Sequence, residues 1–291
     1  MNKNYPAFFL ILLLLSCNRS VNNEREKTIT VSIAPFKFFV DEISGGDFNV
    51  NVMVPAGADP HIYEPFPKQI NELRKSVAYI SNGYLGFEMT WLNRFYETNS
   101  TMMKLSLGEK IDPLNAHHDH AGDNVESADP HYWVSPKCAK IIAASVRDLL
   151  CNLNPEGKQK YEANYLILIP KIEKVDSIAQ NLFTGLKNRS FMIFHPNLGY
   201  LARDYDLEEI SVEFEGKEPP PSRIKELIDR ARIDDLKTIF VQKEYDTKNA
   251  KAIAIEISAE VEIIDPLSEN WLKTTTEIIN ALQTSMIKSS K

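Results

Sequence analysis

Short apolar runs and amphipathic stripes alternate along most of the chain. Near its start, the runs Thr28–Ile33 and Phe48–Val54 have the length of strands and enclose the amphipathic segment Pro35–Ile43. The same alternation returns after residue 188. There the pattern predicts strands at Phe191–Phe194, Glu209–Phe214, Lys237–Val241 and Val261–Ile264, and helices near Leu198–Tyr205, Ser222–Ala231, Lys248–Ser258 and Trp271–Ile287. This order of elements is typical of βαβ units built around mainly parallel sheets.

A long apolar stripe connects the two alternating regions. Between Pro155 and Leu186 apolar residues recur every three or four positions, which predicts a helix of about 48 Å that runs along both regions. Pro170 lies in its middle and should kink it. Two shorter helices that meet at Pro170 are the alternative, although the phase of the stripe continues across the proline.

The predicted fold class is α/β, with two (βα)n lobes, mainly parallel sheets and one long kinked backbone helix that joins the lobes. The 291 residues are enough for two such domains. The N-terminal lobe is predicted at 28–153, the linking helix at 154–187 and the C-terminal lobe at 188–291. A weak internal repeat supports two related lobes, since Glu64–Leu73 and Glu218–Leu227 share six of ten positions.

The first residues have the pattern of an export signal. The apolar run Phe8–Leu15 holds eight residues, far fewer than the ~20 that cross a bilayer as a helix. It ends in Leu14–Cys17, which looks like a bacterial lipobox, so we predict a signal peptide at 1–16, a lipidated Cys17 and a tether at 17–27. A chance cysteine after an apolar stretch is the alternative. The predicted location is extracytoplasmic, with the lipid as membrane anchor, on the periplasmic side or the cell surface.

The charge balance argues against one class of partner, and the spacing of the other two cysteines argues against a disulfide between them. Lys and Arg number 33 against 40 Asp and Glu, a net charge of −7, and no basic run occurs, which argues against a nucleic-acid partner. Cys138 and Cys151 fall in one helical pattern, where thirteen residues separate them by about 20 Å. A disulfide needs Cα atoms within about 7 Å. Both are therefore predicted to be small buried residues.

Three isolated histidines and one aspartate are the candidate metal ligands. His61 and His131 each follow an Asp-Pro pair in a turn, whereas His195 and Asp265 each directly follow a predicted strand and precede proline. Open α/β sheets bind ligands at the carboxyl ends of their strands. Taken singly, each residue is more often ordinary turn chemistry. Together, three imidazoles and one carboxylate suit a divalent cation such as zinc.

Further polar residues are candidates for accessory roles. His117, His118, Asp119 and His120 crowd into one short polar tract, for which we predict weak metal capture outside the main site; a solvated linker is the alternative. Glu64 is the extra carboxylate nearest to the site in sequence and could support a ligand. A charge at a helix start explains it equally well.

Four segments carry a resemblance to a known family. Gly57–Pro65, Asp129–Trp133, Phe194–Tyr200 and Ile264–Trp271 occur in the order found in the ZnuA/TroA-like metal-binding lipoproteins of ABC importers, and the resemblance covers nearly all of 28–288. It implies a two-lobed solute-binding protein, not an enzyme, that holds a metal in the cleft and delivers it to ABC permease subunits.

The resemblance also assigns ligands and shows departures. His61 and His131 would come from the first lobe, and His195 and Asp265 from the second. His195 is followed by Pro where many relatives have Asp, and Gln242 is followed by Lys where Pro is common. These changes alter the loops without removing a donor atom.

The donor set favours Zn²⁺ over Mn²⁺ or Fe²⁺, because manganese sites use more oxygen donors. The histidine tract points the same way, since zinc-importing relatives carry such a loop. A manganese- or iron-binding member of the family and a lipid-anchored adhesin are the alternative functions. A zinc hydrolase is a weaker alternative, because the sequence has no HExxH motif.

Overall fold

The computed structural model describes residues 27–115, 128–213 and 219–289. Its strands are β1 (Thr28–Val31), β2 (Asn49–Val52), β3 (Ser76–Ser81), β4 (Met103–Ser106), β5 (Ser190–Ile193), β6 (Glu208–Ser211), β7 (Thr238–Gln242) and β8 (Glu260–Ile264). Its helices are α1 (Ala34–Ser44), α2 (Pro67–Leu73), α3 (Gly86–Thr98), α4 (Pro136–Leu153), α5 (Lys158–Phe183), α6 (Gly199–Tyr205), α7 (Pro221–Ile233), α8 (Lys248–Ile257) and α9 (Trp271–Lys288).

The strands form two four-stranded sheets with the same topology. The strand orders are β2-β1-β3-β4 and β6-β5-β7-β8, and every pairing between neighbouring strands is parallel. The repeated segments occupy equivalent places, because Pro67 starts the helix between β2 and β3 and Pro221 starts the helix between β6 and β7. The predicted α/β fold class is confirmed.

The helix between the sheets is continuous. α5 is 26 residues long and passes through Pro170, so the alternative of two helices meeting there is wrong. Its length is about 39 Å, shorter than predicted, because Pro155–Gly157 forms a separate 3₁₀ turn before it and the helix ends at Phe183. Pro170 is exposed, while the buried stripe of α5 includes Tyr161, Leu168, Ile172 and Phe183.

One apolar core extends through both lobes. It holds the interior of the first lobe, the buried face of α5 and much of α9, and it reaches Phe191, Ile193 and Phe240 on one face of the second sheet. The opposite face of that sheet, with Met192 and Val241, packs with α7 and α8 in a smaller core. The two faces separate because successive side chains of a strand point to opposite sides.

α4 carries both of the remaining cysteines, and both are free thiols. Cys138 is buried, and burial, followed by the charge of Asp204, raises the pKa of its thiol to about 11. Cys151 is only half-buried, so its predicted burial is wrong in degree. The residue lies near the C-terminal end of α4, where one side of the helix is open to solvent.

Within the three described ranges, no helix combines the length and the apolar character needed to cross a membrane. Cys17 and the tract of His117, His118, Asp119 and His120 lie outside the described residues. The loops that follow β2, β4, β5 and β8 carry the four predicted ligands, so the parallel topology places all of them at carboxyl edges of the sheets.

Candidate metal centre

Two turns of the same construction present the histidines of the first lobe. The backbone N–H of His61 donates to Oδ1 of Asp59, and that of His131 donates to Oδ1 of Asp129, each over 2.8 Å. Such bonds from an aspartate to the backbone two residues later define an Asx-turn. The proline between the partners fixes one backbone angle. The Asp-Pro-His sequence thus aims each imidazole from a rigid turn.

The second lobe presents His195 directly after β5. Gln242, the last residue of β7, binds the backbone of His195 from both sides: its Oε1 accepts the His195 N–H at 3.4 Å and its Nε2 donates to the His195 carbonyl. The Tyr245 ring stacks on the His195 imidazole with centroids 4.9 Å apart and planes 16° apart. Neighbouring strand ends therefore hold this histidine in place.

The three imidazoles converge on one point. Nε2 of His61 lies 3.1 Å from Nε2 of His131 and 3.2 Å from Nε2 of His195. The ligand nitrogens of the three residues all lie within 4.8 Å of one another. Two nitrogens bound to zinc at 2.0–2.1 Å with a tetrahedral angle would be about 3.3 Å apart. His131 and His195 are buried and His61 is half-buried, so the arrangement has the spacing and the accessibility of a zinc site.

Carboxylates bind the outer nitrogens of two of these rings. Nδ1 of His131 lies 2.7 Å from Oδ1 of Asp129, and Nδ1 of His195 contacts Oε2 of Glu213. An ionised carboxylate only accepts hydrogen bonds, so Nδ1 of each neutral ring carries the proton and Nε2 keeps its lone pair. This is the carboxylate–histidine arrangement that orients metal ligands and raises their basicity.

The charge of Asp129 fits this role. Burial alone would raise the pKa of its carboxyl group, but His131 outweighs burial, through the positive charge that its ring carries when protonated and through its hydrogen bonds, and holds the pKa below its ordinary value. Asp129 is therefore an anion at neutral pH. Its Oδ1 binds both the backbone and the ring of His131, and so sets the position and the tautomer of that residue together.

Neither Asp129 nor Glu213 was predicted from the sequence as a partner of the ligands. Asp129 could have been inferred from its place two residues before His131. Glu213 could not, because its contact depends on the parallel pairing of β5 with β6, which places Ile193 opposite Ser211. Glu64, which the sequence suggested for this role, is exposed at the turn before α2.

Asp265 is not among the residues whose ligand atoms lie within 4.8 Å of one another. Its Oδ2 forms an ion pair with Nζ of Lys243 at 3.1 Å, and its side chain is 34% exposed. The following residues, Pro266 and Leu267, line the cavity at the histidines, as does Glu244. Burial, and then the charge of Asp265, raises the pKa of Glu244.

Comparisons with known proteins agree with this geometry. The family model "Zinc-uptake complex component A periplasmic" (ZnuA) matches residues 29–285. The zinc-binding protein AdcA of Streptococcus pyogenes serotype M3 is 26% identical over 270 residues, which cover 86% of this chain and 52% of that protein. The zinc-binding lipoprotein AdcA of Streptococcus pneumoniae is 24% identical over 302 residues, covering 95% and 59%. The chain thus spans just over half the length of these relatives.

A solved structure extends the match to three dimensions. The crystal structure of ZnuA superimposes with a TM-score of 0.84 at 35% identity, over 89% of this chain and 98% of that chain. The family match includes both sheets, α5 and all three converging histidines. The chain therefore belongs to the ZnuA family, component A of zinc-uptake complexes.

Proposed function

We propose that this protein captures zinc outside the cytoplasm and delivers it to the membrane subunits of an ABC permease. The observation that carries the proposal is the convergence of three Nε2 atoms, two of them backed by carboxylates at Nδ1. Neutral nitrogen lone pairs that face one another repel unless a proton or a cation lies between them. Membership of a zinc-uptake family agrees with zinc as that cation.

The donor chemistry supports zinc over manganese and iron. Imidazole nitrogen suits zinc, whereas a manganese site would draw on more carboxylate oxygen. A binding protein also has to release its metal, and each ligating histidine can take a proton in place of the ion. We therefore expect the affinity for zinc to fall as the solution becomes acidic.

Asp265 is our proposed fourth ligand. To reach the ion, its carboxylate has to exchange Lys243 for the metal, which calls for a small movement of the loop after β8. We expect Asp265→Asn to weaken zinc binding less than loss of a histidine does. Lys243→Ala, which frees the carboxylate, should preserve or strengthen binding.

The anchor and the capture tract complete the proposal. The match to a relative described as a lipoprotein supports lipidation at Cys17. The tract with His117, His118, Asp119 and His120 is proposed to hold metal weakly before transfer. Deletion of residues 116–127 should then leave the tight site intact, and Cys17→Ala should release the protein from the membrane.

The decisive experiment measures metal content and zinc affinity of the purified protein by competition with a chromophoric chelator. His61→Ala, His131→Ala and His195→Ala should each weaken zinc binding by more than the about 10–100-fold typical of residues behind the ligands. Manganese should compete poorly. Wild-type zinc affinity in all three variants would contradict the proposal, and turnover of an ester or peptide by the zinc-loaded protein would favour a hydrolase instead.

A further inference from the structure

The segment Asn82–Glu88, which runs from the end of β3 into the first turn of α3, lies against both histidine turns of the first lobe. No sequence motif marked it as part of the site. One end approaches the backbone of His61, and the other end binds the residues on both sides of His131. These two contacts, together with a buried carboxylate that holds the segment, distinguish it from an ordinary connecting loop.

Gly86 forms the contact with His61. A Cβ atom at Gly86 would lie 2.3 Å from the carbonyl oxygen of His61 and 3.2 Å from its carbonyl carbon. Real Cβ atoms essentially never come this close to another atom. The neighbour is backbone, which cannot rotate away as a side chain could. His61 is therefore seated directly on the first residue of α3, and only glycine allows this approach.

Asn82 forms the contact with the His131 turn. Its Nδ2 donates to the carbonyl oxygen of Pro130 at 2.9 Å, and its own carbonyl oxygen accepts the Tyr132 hydroxyl at 2.8 Å. Asn82 and Tyr132 are both fully buried. The residues on either side of His131 are thus bound to a single asparagine.

Glu88 holds Asn82 in place from within the core. Its side chain is buried, with Oε1 accepting the N–H of Asn82 at 3.0 Å and Oε2 accepting the N–H of Gly83 at 2.6 Å. The hydroxyl of Tyr79 donates to the same carboxylate at 3.3 Å. A buried carboxyl group is costly unless it is satisfied in this way. Through these hydrogen bonds Glu88 fixes the backbone at Asn82 and Gly83, next to the turn that carries His131.

We infer that the segment Asn82–Glu88 positions His61 and His131 relative to each other, with Gly86 and Asn82 as positioning residues and Glu88 as their support. The inference rests on the proposed function, because it concerns the geometry of the same metal centre. Metal ligands have to be held to within about 0.5 Å of their productive positions by their surroundings. Gly86 and Asn82 set the separation of two ligands that come from different turns.

The test compares two glycine substitutions in the purified full chain, one whose new Cβ meets the backbone of a ligand and one whose new Cβ meets a side chain away from the metal centre. Gly86→Ala drives a methyl group into the His61 carbonyl. The control, Gly157→Ala, lies before α5 and drives one into the Tyr161 side chain, 2.5 Å from the new Cβ. Zinc affinity is measured by chelator competition, folding by thermal unfolding, and ligand geometry by the visible absorption spectrum of the Co²⁺-loaded protein.

We expect Gly86→Ala to weaken zinc binding by about 10–100-fold, as loss of a residue behind a metal ligand does, and to change the Co²⁺ spectrum. Gly157→Ala should lower the melting temperature but leave affinity and spectrum unchanged. Asn82→Ala, which removes the bond to Pro130 without adding an atom, should act like Gly86→Ala and serves as the second variant if Gly86→Ala does not fold.

The variant His131→Ala distinguishes failure of the positioning role from failure of the proposed function. Loss of zinc binding in His131→Ala with wild-type affinity and spectrum in Gly86→Ala, or in Asn82→Ala, would overturn the positioning role and leave the proposed function standing. A wild-type protein that binds no zinc would overturn both. If Gly157→Ala changed the Co²⁺ spectrum as much as Gly86→Ala does, the change would reflect general destabilisation of the protein, and the inference would also be overturned.

Discussion

At the scale of single residues, the carboxylates that contact Nδ1 of His131 and His195 determine which ring nitrogen is available to bind the proposed metal. Glu213→Gln removes the negative charge at Nδ1 of His195 while keeping the size of the side chain. The amide can present its NH₂ group to Nδ1 and so favour the wrong tautomer. We expect zinc affinity to fall by about 10–100-fold, with little change in the melting temperature of the metal-free protein.

Glu262→Gln is the matched control for this change. Glu262 is an exposed glutamate on β8, in the sheet that also contains β5 and β6. Its substitution therefore removes the same charge without changing a contact of His195. Its zinc affinity should equal that of the wild type. If Glu213→Gln also bound zinc like the wild type in chelator competition, the carboxylate behind His195 would have no part in metal binding.

A second prediction concerns Glu209, whose carboxylate accepts the backbone N–H groups of Asn197 at 3.1 Å and Leu198 at 2.8 Å. Burial, aided by the charge of Asp129, raises its pKa from 4.5 to about 8 although these N–H groups lower it. The folded protein thus binds this proton more tightly than the unfolded chain. The contribution of Glu209 to the free energy of unfolding is present at low pH and is lost as the pH rises from about 4.5 to about 8.

Glu209→Gln tests this prediction, because the amide oxygen can still accept both N–H groups but cannot titrate. Urea unfolding of the metal-free proteins should show the wild type losing stability relative to the variant as the pH rises through that window. The maximum slope for one group is about 1.4 kcal/mol per pH unit. Parallel pH profiles for the two proteins would show that Glu209 has an ordinary pKa.

Whether a site residue could be predicted from the sequence depends on how far along the chain it lies from the residues it contacts. His61, His131 and His195 could be identified because each lies in a local motif, and the structure brings all three together. Glu213 follows β6, and only the pairing of β6 with β5 brings it to His195. Asp265 shows a related limit: its motif placed it at a strand end, but the motif could not reveal the neighbouring Lys243.

At the scale of elements, Asp176 joins three helices through one carboxylate. From the middle of α5 it accepts bonds from Lys140 of α4 at 3.0 Å, Tyr205 of α6 at 2.9 Å and Gln180 of α5 at 2.9 Å. Asp176→Ala should lower the free energy of unfolding by about 1–3 kcal/mol, because it leaves the buried hydroxyl of Tyr205 without this partner. Chemical denaturation measures this difference.

Asp148→Ala provides the comparison for this prediction. Asp148 lies on α4 and pairs with Arg147, but 53% of its side chain is exposed. An exposed pair of this kind contributes at most about 1 kcal/mol. If the two variants were destabilised equally, the carboxylate of Asp176 would not be a junction of the three helices.

The elements themselves were predictable where the pattern was long. The stripe of α5 could be followed across Pro170 because its period persisted for several turns on both sides. β3 and β4 were not predicted, although Val77–Ile80 is an apolar run of strand length followed by Asn82 and Gly83. A buried strand of this length resembles a fragment of a buried helix in sequence. The segment Asn82–Glu88 was therefore missed together with the strand that precedes it.

At the scale of the whole molecule, the continuous core joins the lobes beside the metal centre. The indole N–H of Trp133 donates to the Pro266 carbonyl at 2.9 Å, and that of Trp271 donates to the Trp133 carbonyl at 2.7 Å. Both tryptophans are almost completely buried. Separation of the lobes would break these bonds and expose apolar surface, which costs about 25 cal/mol for each Å².

A wide hinge movement on metal binding is therefore not expected. α5 bridges the lobes as one helix, and the buried indole bonds cross between them, so metal entry and release should involve the loops that carry His61, His131 and His195. The radius of gyration from small-angle X-ray scattering should be the same, within error, for the zinc-bound and zinc-free proteins. Trp133→Phe keeps the aromatic ring but removes the bond to Pro266, and should make the zinc-free form more variable in its dimensions. A clear contraction of the wild type on adding zinc would contradict this, because it would show that the shared core opens in the absence of metal.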